Sequence, residues 1–246
     1  MRAVHRGEGG GRAGGPRQLS FALGHRPAHD RYDFFVTAAN SQAVAFIDRW
    51  PDWPHPVLIV TGARGSGKSH LTAVWCEESG APSVGAAELS EKTLPELFVG
   101  GALAIEDIDV AACDEKVLFH ALNMAREQGG WLLLTARTAP SGWPLKLADL
   151  ASRLRAAPCV HLGPPDDLLL RAVLVKLFAD RQLNVDVTVL DYVCRRIERS
   201  LAAAAEFVHR LDREALEEGR AISRNLAGKV LAVMAAGAED RGAEAD

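Results

Sequence analysis

The segment Gly62-Ala63-Arg64-Gly65-Ser66-Gly67-Lys68-Ser69 sets its glycines, lysine and serine at the spacing that holds phosphate. An apolar run, Val57–Val60, leads into it, and an apolar helical pattern begins at Leu71. Strand, glycine loop, helix is the setting such a loop requires. Gly62, Gly65 and Gly67 allow backbone N–H groups to turn inward, and the Ser66 amide lies among them. The helix that follows points its positive end at the same anion. Lys68 would reach the β- and γ-phosphates, and the Ser69 hydroxyl would hold Mg²⁺. The chemistry expected is binding of ATP, ADP or a close relative.

A second constellation ends the apolar run Ala102-Leu103-Ala104-Ile105 with Glu106 and Asp107. Two carboxylates at a strand end can hold Mg²⁺ and orient an attacking water, with Glu106 nearer the metal and Asp107 nearer the water. The expectation is that this strand lies beside the one that enters the phosphate loop. Trp131–Thr135 is a further buried strand. Thr135 at its end either faces the γ-phosphate or is a buried, satisfied hydroxyl. In Asp149-Leu150-Ala151-Ser152-Arg153-Leu154-Arg155 an arginine could stabilise charge on a nucleotide held by a neighbouring subunit. A surface ion pair is the competing reading. Gln18-Leu19-Ser20-Phe21-Ala22-Leu23 is a small apolar island. It suits docking into a partner's groove, or folding back on its own domain.

Composition limits what else the chain does. Its 246 residues are 48% hydrophobic and 24% charged, enough for a core without disulfide support. The net charge of −4 gives no sign of a nucleic-acid surface. Cys76, Cys113, Cys159 and Cys194 form no CxxC pair, and the histidines show no metal-ligand spacing. That pattern suits reduced thiols in a cytoplasm. No run approaches the roughly 18 apolar residues of a membrane span, and the basic N-terminus lacks a secretory apolar segment.

These residues need elements to hold them. Residues 1–17, rich in Gly and Arg, are expected to be a disordered tail or an overextended start of the reading frame. From 31 to 162, strands at Val57–Val60, Ala102–Ile105, Trp131–Thr135 and Cys159–Leu162 alternate with helices, and a weak strand falls near Ser83–Val84. The helices are expected at Asn40–Arg49, Ser69–Glu78, Glu115–Gln128 and Lys146–Leu154. Alternation of this kind predicts a parallel sheet covered by helices. After Pro164-Pro165 the pattern over 163–236 is wholly helical, at Asp166–Arg181, Thr188–Arg196, Leu201–Glu218 and Arg224–Ala235. Residues 237–246 are expected to fray. The fold class is thus α/β, a P-loop nucleotide-binding domain followed by a small all-α domain.

Taken together, these features resemble the AAA+ ATPases, in the branch of the bacterial replication initiator DnaA, from about Arg31 to Met234. Tyr32-Asp33-Phe34-Phe35-Val36, followed by Asn40, looks like the segment that flanks the base, which puts Phe35 and Val36 near adenine. GARGSGKSHL is close to that family's P-loop, His70 and Leu71 included. AIEDID looks like its Walker B motif, and LASRLR matches the segment whose arginine finger falls on Arg153. The chain stops where the lid is expected to end, without residues for a DNA-binding domain. That arrangement, with QLSFAL ahead of it, is similar to the Hda type. The resemblance implies a clamp-binding motif in which Gln18 takes the polar end and Leu19, Phe21 and Leu23 are anchors. The partners it implies are DnaA, the β sliding clamp, DNA through the clamp and a possible homodimer, with no membrane. The lid's sensor 2 cation falls at Ala202, inside Leu201–Ala205, with Arg199 off register. The acidic residue after the sensor 1 strand falls on Arg137, and Glu106 stands where Asp is commoner. These departures imply weak hydrolysis by the chain itself, and ADP as a candidate working ligand.

Overall fold

The computed structural model describes residues 35–108, 113–219 and 221–243, with side chains through 237. The tail 1–17 and the motif Gln18–Leu23 lie outside the described residues. Five strands form one sheet: β1 (Val57–Gly62), β2 (Ser83–Gly85), β3 (Ala102–Glu106), β4 (Trp131–Ala136) and β5 (Cys159–Leu162). All pairings are parallel, in the order β2-β3-β4-β1-β5. The expected adjacency of the acid-tipped strand and the P-loop strand is therefore corrected. A strand has two hydrogen-bonding edges, and those of β1 are taken by β4 and β5. β3 consequently lies one strand further out, paired to β4 through Ile105 and Leu134.

Alternation along the strands builds two apolar layers, since successive side chains face opposite sides. Val57, Ile59, Leu103, Ile105, Leu132 and Leu134 face α3 (Leu94–Leu97), α4 (Glu115–Gln128) and α5 (Ala148–Ala156). Leu58, Val60, Ala104, Leu133 and Val160 face α1 (Ser41–Ile47) and α2 (Lys68–Ser79). On that side the Trp75 ring is fully buried and stacked on Trp53 at 5.5 Å between centroids. Central strands buried on both faces are the expected consequence of helices covering a parallel sheet.

The helices α6 (Asp167–Asp180), α7 (Val187–Cys194), α8 (Leu201–Glu218) and α9 (Arg224–Ala243) follow. They share an apolar core of their own, with Leu174, Phe178, Val193, Phe207 and Ala227 inside it. Side-chain caps start them: Asp166 accepts from the Leu169 amide, Asp186 from Thr188, and Ser200 from Ala203. The helix expected over Arg224–Ala235 runs on to Ala243. The one-turn α3 was not expected, because a single turn is too short to show periodicity. The start of α5 falls at Ala148 instead of Lys146 for a visible reason. The Glu115 carboxylate accepts from the amides of Lys146 and Leu147, at 3.0 and 2.8 Å, and holds those residues before the helix.

Candidate nucleotide-binding site

β1 ends at Gly62 and α2 begins at Lys68, so the loop between them joins an interior strand of the sheet to a helix N-terminus. Its glycines are required by its shape. Gly65 and Gly67 have φ of 76° and 105°, in the left-handed region that side chains disfavour. A Cβ on Gly62 would come within 2.6 Å of both the Leu162 carbonyl and Ser66 Oγ. The Ser66 hydroxyl is buried and, among the described residues, has no hydrogen-bond partner. Buried polar atoms are seldom left so, and a phosphate-sized anion is the kind of group that would complete the cradle. Lys68 is 7% exposed and folds back, donating to the carbonyls of Gly62 at 2.8 Å and Ala63 at 3.1 Å. The ammonium is thus held at the loop, where a phosphate would meet it. Ser69 is exposed at the start of α2, and His70 after it is half-buried. The donor set fits the phosphates of a nucleotide.

The segment expected to flank the base is tied in from both sides. Asn40 accepts from the Thr37 amide at 2.8 Å and donates to the Phe35 carbonyl at 2.8 Å. The Gly163 amide, just past β5, donates to the Ala39 carbonyl at 3.3 Å. Phe35 and Val36 remain exposed at 41% and 51%, an apolar pair that a flat base would cover.

At the end of β3, Glu106 accepts from the Ser83 hydroxyl of β2 at 2.9 Å. The neighbouring Asp107 is exposed and has φ of 56°. Asp tolerates this conformation better than most residues, yet it is uncommon, and such strain concentrates at functional sites. Thr135 holds the turn: its buried hydroxyl accepts from the Asp107 amide at 3.1 Å, and its carbonyl accepts from Ile108. That accepted bond leaves the hydroxyl's own proton free to be donated, so both readings of Thr135 stand. Thr135 lies on β4 opposite Val60 of β1, and so ties the end of the acid-tipped strand to the neighbour of the P-loop strand.

What spacing did not reveal is how the lid meets the loop. The Leu201 amide donates to the Gly65 carbonyl at 2.7 Å. A Cβ on Gly65 would overlap Ser200 Oγ and lie 3.2 Å from the Ala202 methyl. The N-terminus of α8 therefore rests on the P-loop, with an alanine where a lid cation could have reached the phosphates. Arg199 turns away to Asp167 on α6, at 2.8 Å.

Arg153 makes its bonds on α4 and α5. Its guanidinium donates to Asn123 Oδ1 at 2.5 Å and Asp149 Oδ2 at 3.3 Å, and lies 4.7 Å from the Phe119 ring centroid. Arg155 instead folds onto its own helix, donating to the Ala151 carbonyl.

No protein-family model matches the chain. Its fold does match solved structures. Domain III of the Thermotoga maritima replication initiation protein DnaA aligns over 84% of this chain and 96% of that one, with a TM-score of 0.73 and 17% identity. AMPPCP-bound DnaA from Aquifex aeolicus covers 78% of this chain and 67% of its own, with a TM-score of 0.63 and 15% identity. The Thermotoga maritima RuvB Holliday junction branch migration motor covers 77% and 65%, with a TM-score of 0.59 and 18% identity. At these identities the likeness is one of fold: a five-stranded parallel AAA+ P-loop NTPase domain followed by helices.

Proposed function

We propose that this chain is a regulatory AAA+ protein of the Hda type, which restrains initiation of chromosomal replication. In this reading it binds ATP or ADP with Mg²⁺. The P-loop amides and Lys68 take the phosphates, Ser69 and Glu106 take the metal, and Phe35 and Val36 cover the base. Mg²⁺, when bound, neutralises phosphate charge. Residues Gln18, Leu19, Phe21 and Leu23 dock on a DNA-loaded sliding clamp. From there Arg153 enters the nucleotide site of ATP-bound DnaA and stimulates hydrolysis to ADP.

The observation that carries this reading is the placement of Arg153. Its guanidinium is bonded to groups of α4 and α5, and among the described residues none of its bonds goes to its own P-loop. An arginine so placed is available to another molecule's phosphates. The likeness of fold to DnaA domain III supports a partner of the same architecture. One observation favours a second reading. Beside Gly65 the lid presents the Ala202 methyl and not a cation, which suits an adaptor that holds nucleotide and bridges clamp and initiator without catalysis.

The test is hydrolysis of labelled ATP preloaded on DnaA, with this chain, DNA and the clamp each present or omitted. Stimulation only when all are together is expected. Arg153→Ala should abolish it, a loss on the order of 10³–10⁵ for an arginine finger, while clamp binding persists. Binding of both partners without hydrolysis would select the adaptor. Tight, strongly salt-dependent binding of single-stranded DNA would select a helicase-loader-like factor.

A further inference from the structure

One face of α4 meets both the start of α5 and the Arg153 guanidinium. Glu115, Phe119 and Asn123 are spaced four apart, so they stack along one side of the helix. Val117, Leu118, Ala121, Leu122 and Ala125 are buried in the core beside this face, and Phe119 packs partly against that core. Glu115 accepts from the amides at the start of α5 and fixes where that helix begins. Those amide bonds hold its carboxyl below the usual glutamate range, so it stays ionised at neutral pH. Phe119 lies under the Arg153 guanidinium, and Asn123 accepts from its Nη1. These contacts hold the guanidinium in place without cancelling its charge.

Asp149 is different in kind. It is an anion one turn back on α5, and its side chain is 68% exposed against 30% for Arg153. An exposed pair of this type is screened and exchanges readily for another anion. A phosphate arriving at Arg153 meets a guanidinium already oriented by neutral groups and must displace only Asp149.

We propose that Phe119 and Asn123 are positioning residues that aim Arg153 at a partner-held nucleotide, and that Asp149 is a resting counter-ion which the partner's phosphate displaces. This rests on the arginine-finger reading given above. It adds a directional statement: neutral partners assist the finger, and the anionic partner competes with phosphate for it.

The experiment uses the full chain with clamp, DNA and ATP-loaded DnaA, comparing Arg153→Ala, Asn123→Ala, Phe119→Leu and Asp149→Asn. Rate at saturating protein and the concentration for half-maximal stimulation are read separately, with a melting curve for each variant. Asn123→Ala and Phe119→Leu should each lower the saturating rate about tenfold, a loss of orientation rather than of docking, with half-maximal concentration unchanged. Asp149→Asn should raise the rate about threefold, since the amide keeps the shape and removes the competing charge. A merely structural role would move all three variants in the same direction. If Arg153→Ala keeps full stimulation, the finger reading and this inference both fall. If it abolishes stimulation while Asn123→Ala is unchanged, or Asp149→Asn falls with it, only this inference is overturned.

Discussion

The Leu201 amide donates a 2.7 Å hydrogen bond to the Gly65 carbonyl, and this couples the lid to the P-loop. The bond joins the first residue of the longest lid helix with fully described side chains to the glycine that turns the loop. A change in the loop's shape at Gly65 must stretch this bond or move Ser200, which is packed against the same glycine.

The first prediction concerns Gly65. An alanine there must adopt φ near 76° and overlap the Ser200 hydroxyl, so either the loop or α8 shifts. Backbone strain alone costs about 1–3 kcal/mol. Gly65→Ala should lower both the melting temperature and nucleotide affinity, the latter at least about tenfold. Calorimetric titration with ADP checks this, and unchanged affinity would show that the lid does not constrain the loop.

Leu201→Pro isolates the latch. Position 201 opens α8, where proline is tolerated. Ser200 before it already has φ of −146° and ψ of 131°, the extended geometry that proline demands of its predecessor. The substitution removes the N–H donor and some packing on Gly67, at a cost of about 1 kcal/mol for the bond. Faster hydrogen exchange across the start of α8 and in the P-loop, with the rest of the lid unchanged, is the expected signature.

Ala202→Arg tests what the alanine leaves out. Its methyl lies 3.2 Å from where a Cβ on Gly65 would stand, so a guanidinium there is within reach of bound phosphates. The variant should favour ATP over ADP by roughly tenfold relative to the parent chain, about 1.4 kcal/mol of added γ-phosphate contact. Competitive titration with both nucleotides measures the ratio. An unaltered ratio would mean that α8 does not face the γ-phosphate.

Cys76 gives a pH signature. Burial first, and then the nearby Glu106 carboxylate, push its thiol from 9.0 up to about 12. Folding therefore favours the protonated thiol. Its contribution is fully present below pH 9, declines as pH rises above that and is lost by about pH 12. The stability of Cys76→Ala should fall less steeply across this window than that of the parent chain, by denaturant titration at stepped pH. The same raised value predicts that Cys76 resists alkylation near pH 8 in the native state and reacts once unfolded.

How much was legible follows from the range of the forces involved. The P-loop was, because its strand, glycines and helix are consecutive, and the required φ values at Gly65 and Gly67 select glycine locally. The bounds of α4 and α8 were, because Asp114 and Ser200 cap their starts and Gly129 and Gly219 end them in left-handed geometry. The alternation of strand and helix was enough for a covered parallel sheet. Strand order was not, since it depends on which edges of β1 are filled by chain far away in sequence. Nor was the start of α5, which a carboxylate on α4 decides.

The same division holds for the site. Sequence by itself determined which groups are available: Lys68 and Ser69 at a helix start, Glu106 and Asp107 at a strand end, Arg153 in a helix, an alanine at 202. Tertiary structure decided what those groups meet. It set Ser200 and Leu201 on Gly65, and turned Glu106 to Ser83 and Thr135 to the Asp107 amide. It also held Arg153 against Asn123, 30 positions away. The reason is physical. Loop shape and helix caps are set by each residue's own dihedrals and its nearest neighbours, whereas a hydrogen bond between distant elements exists only after two apolar layers and a lid core have fixed where those elements lie.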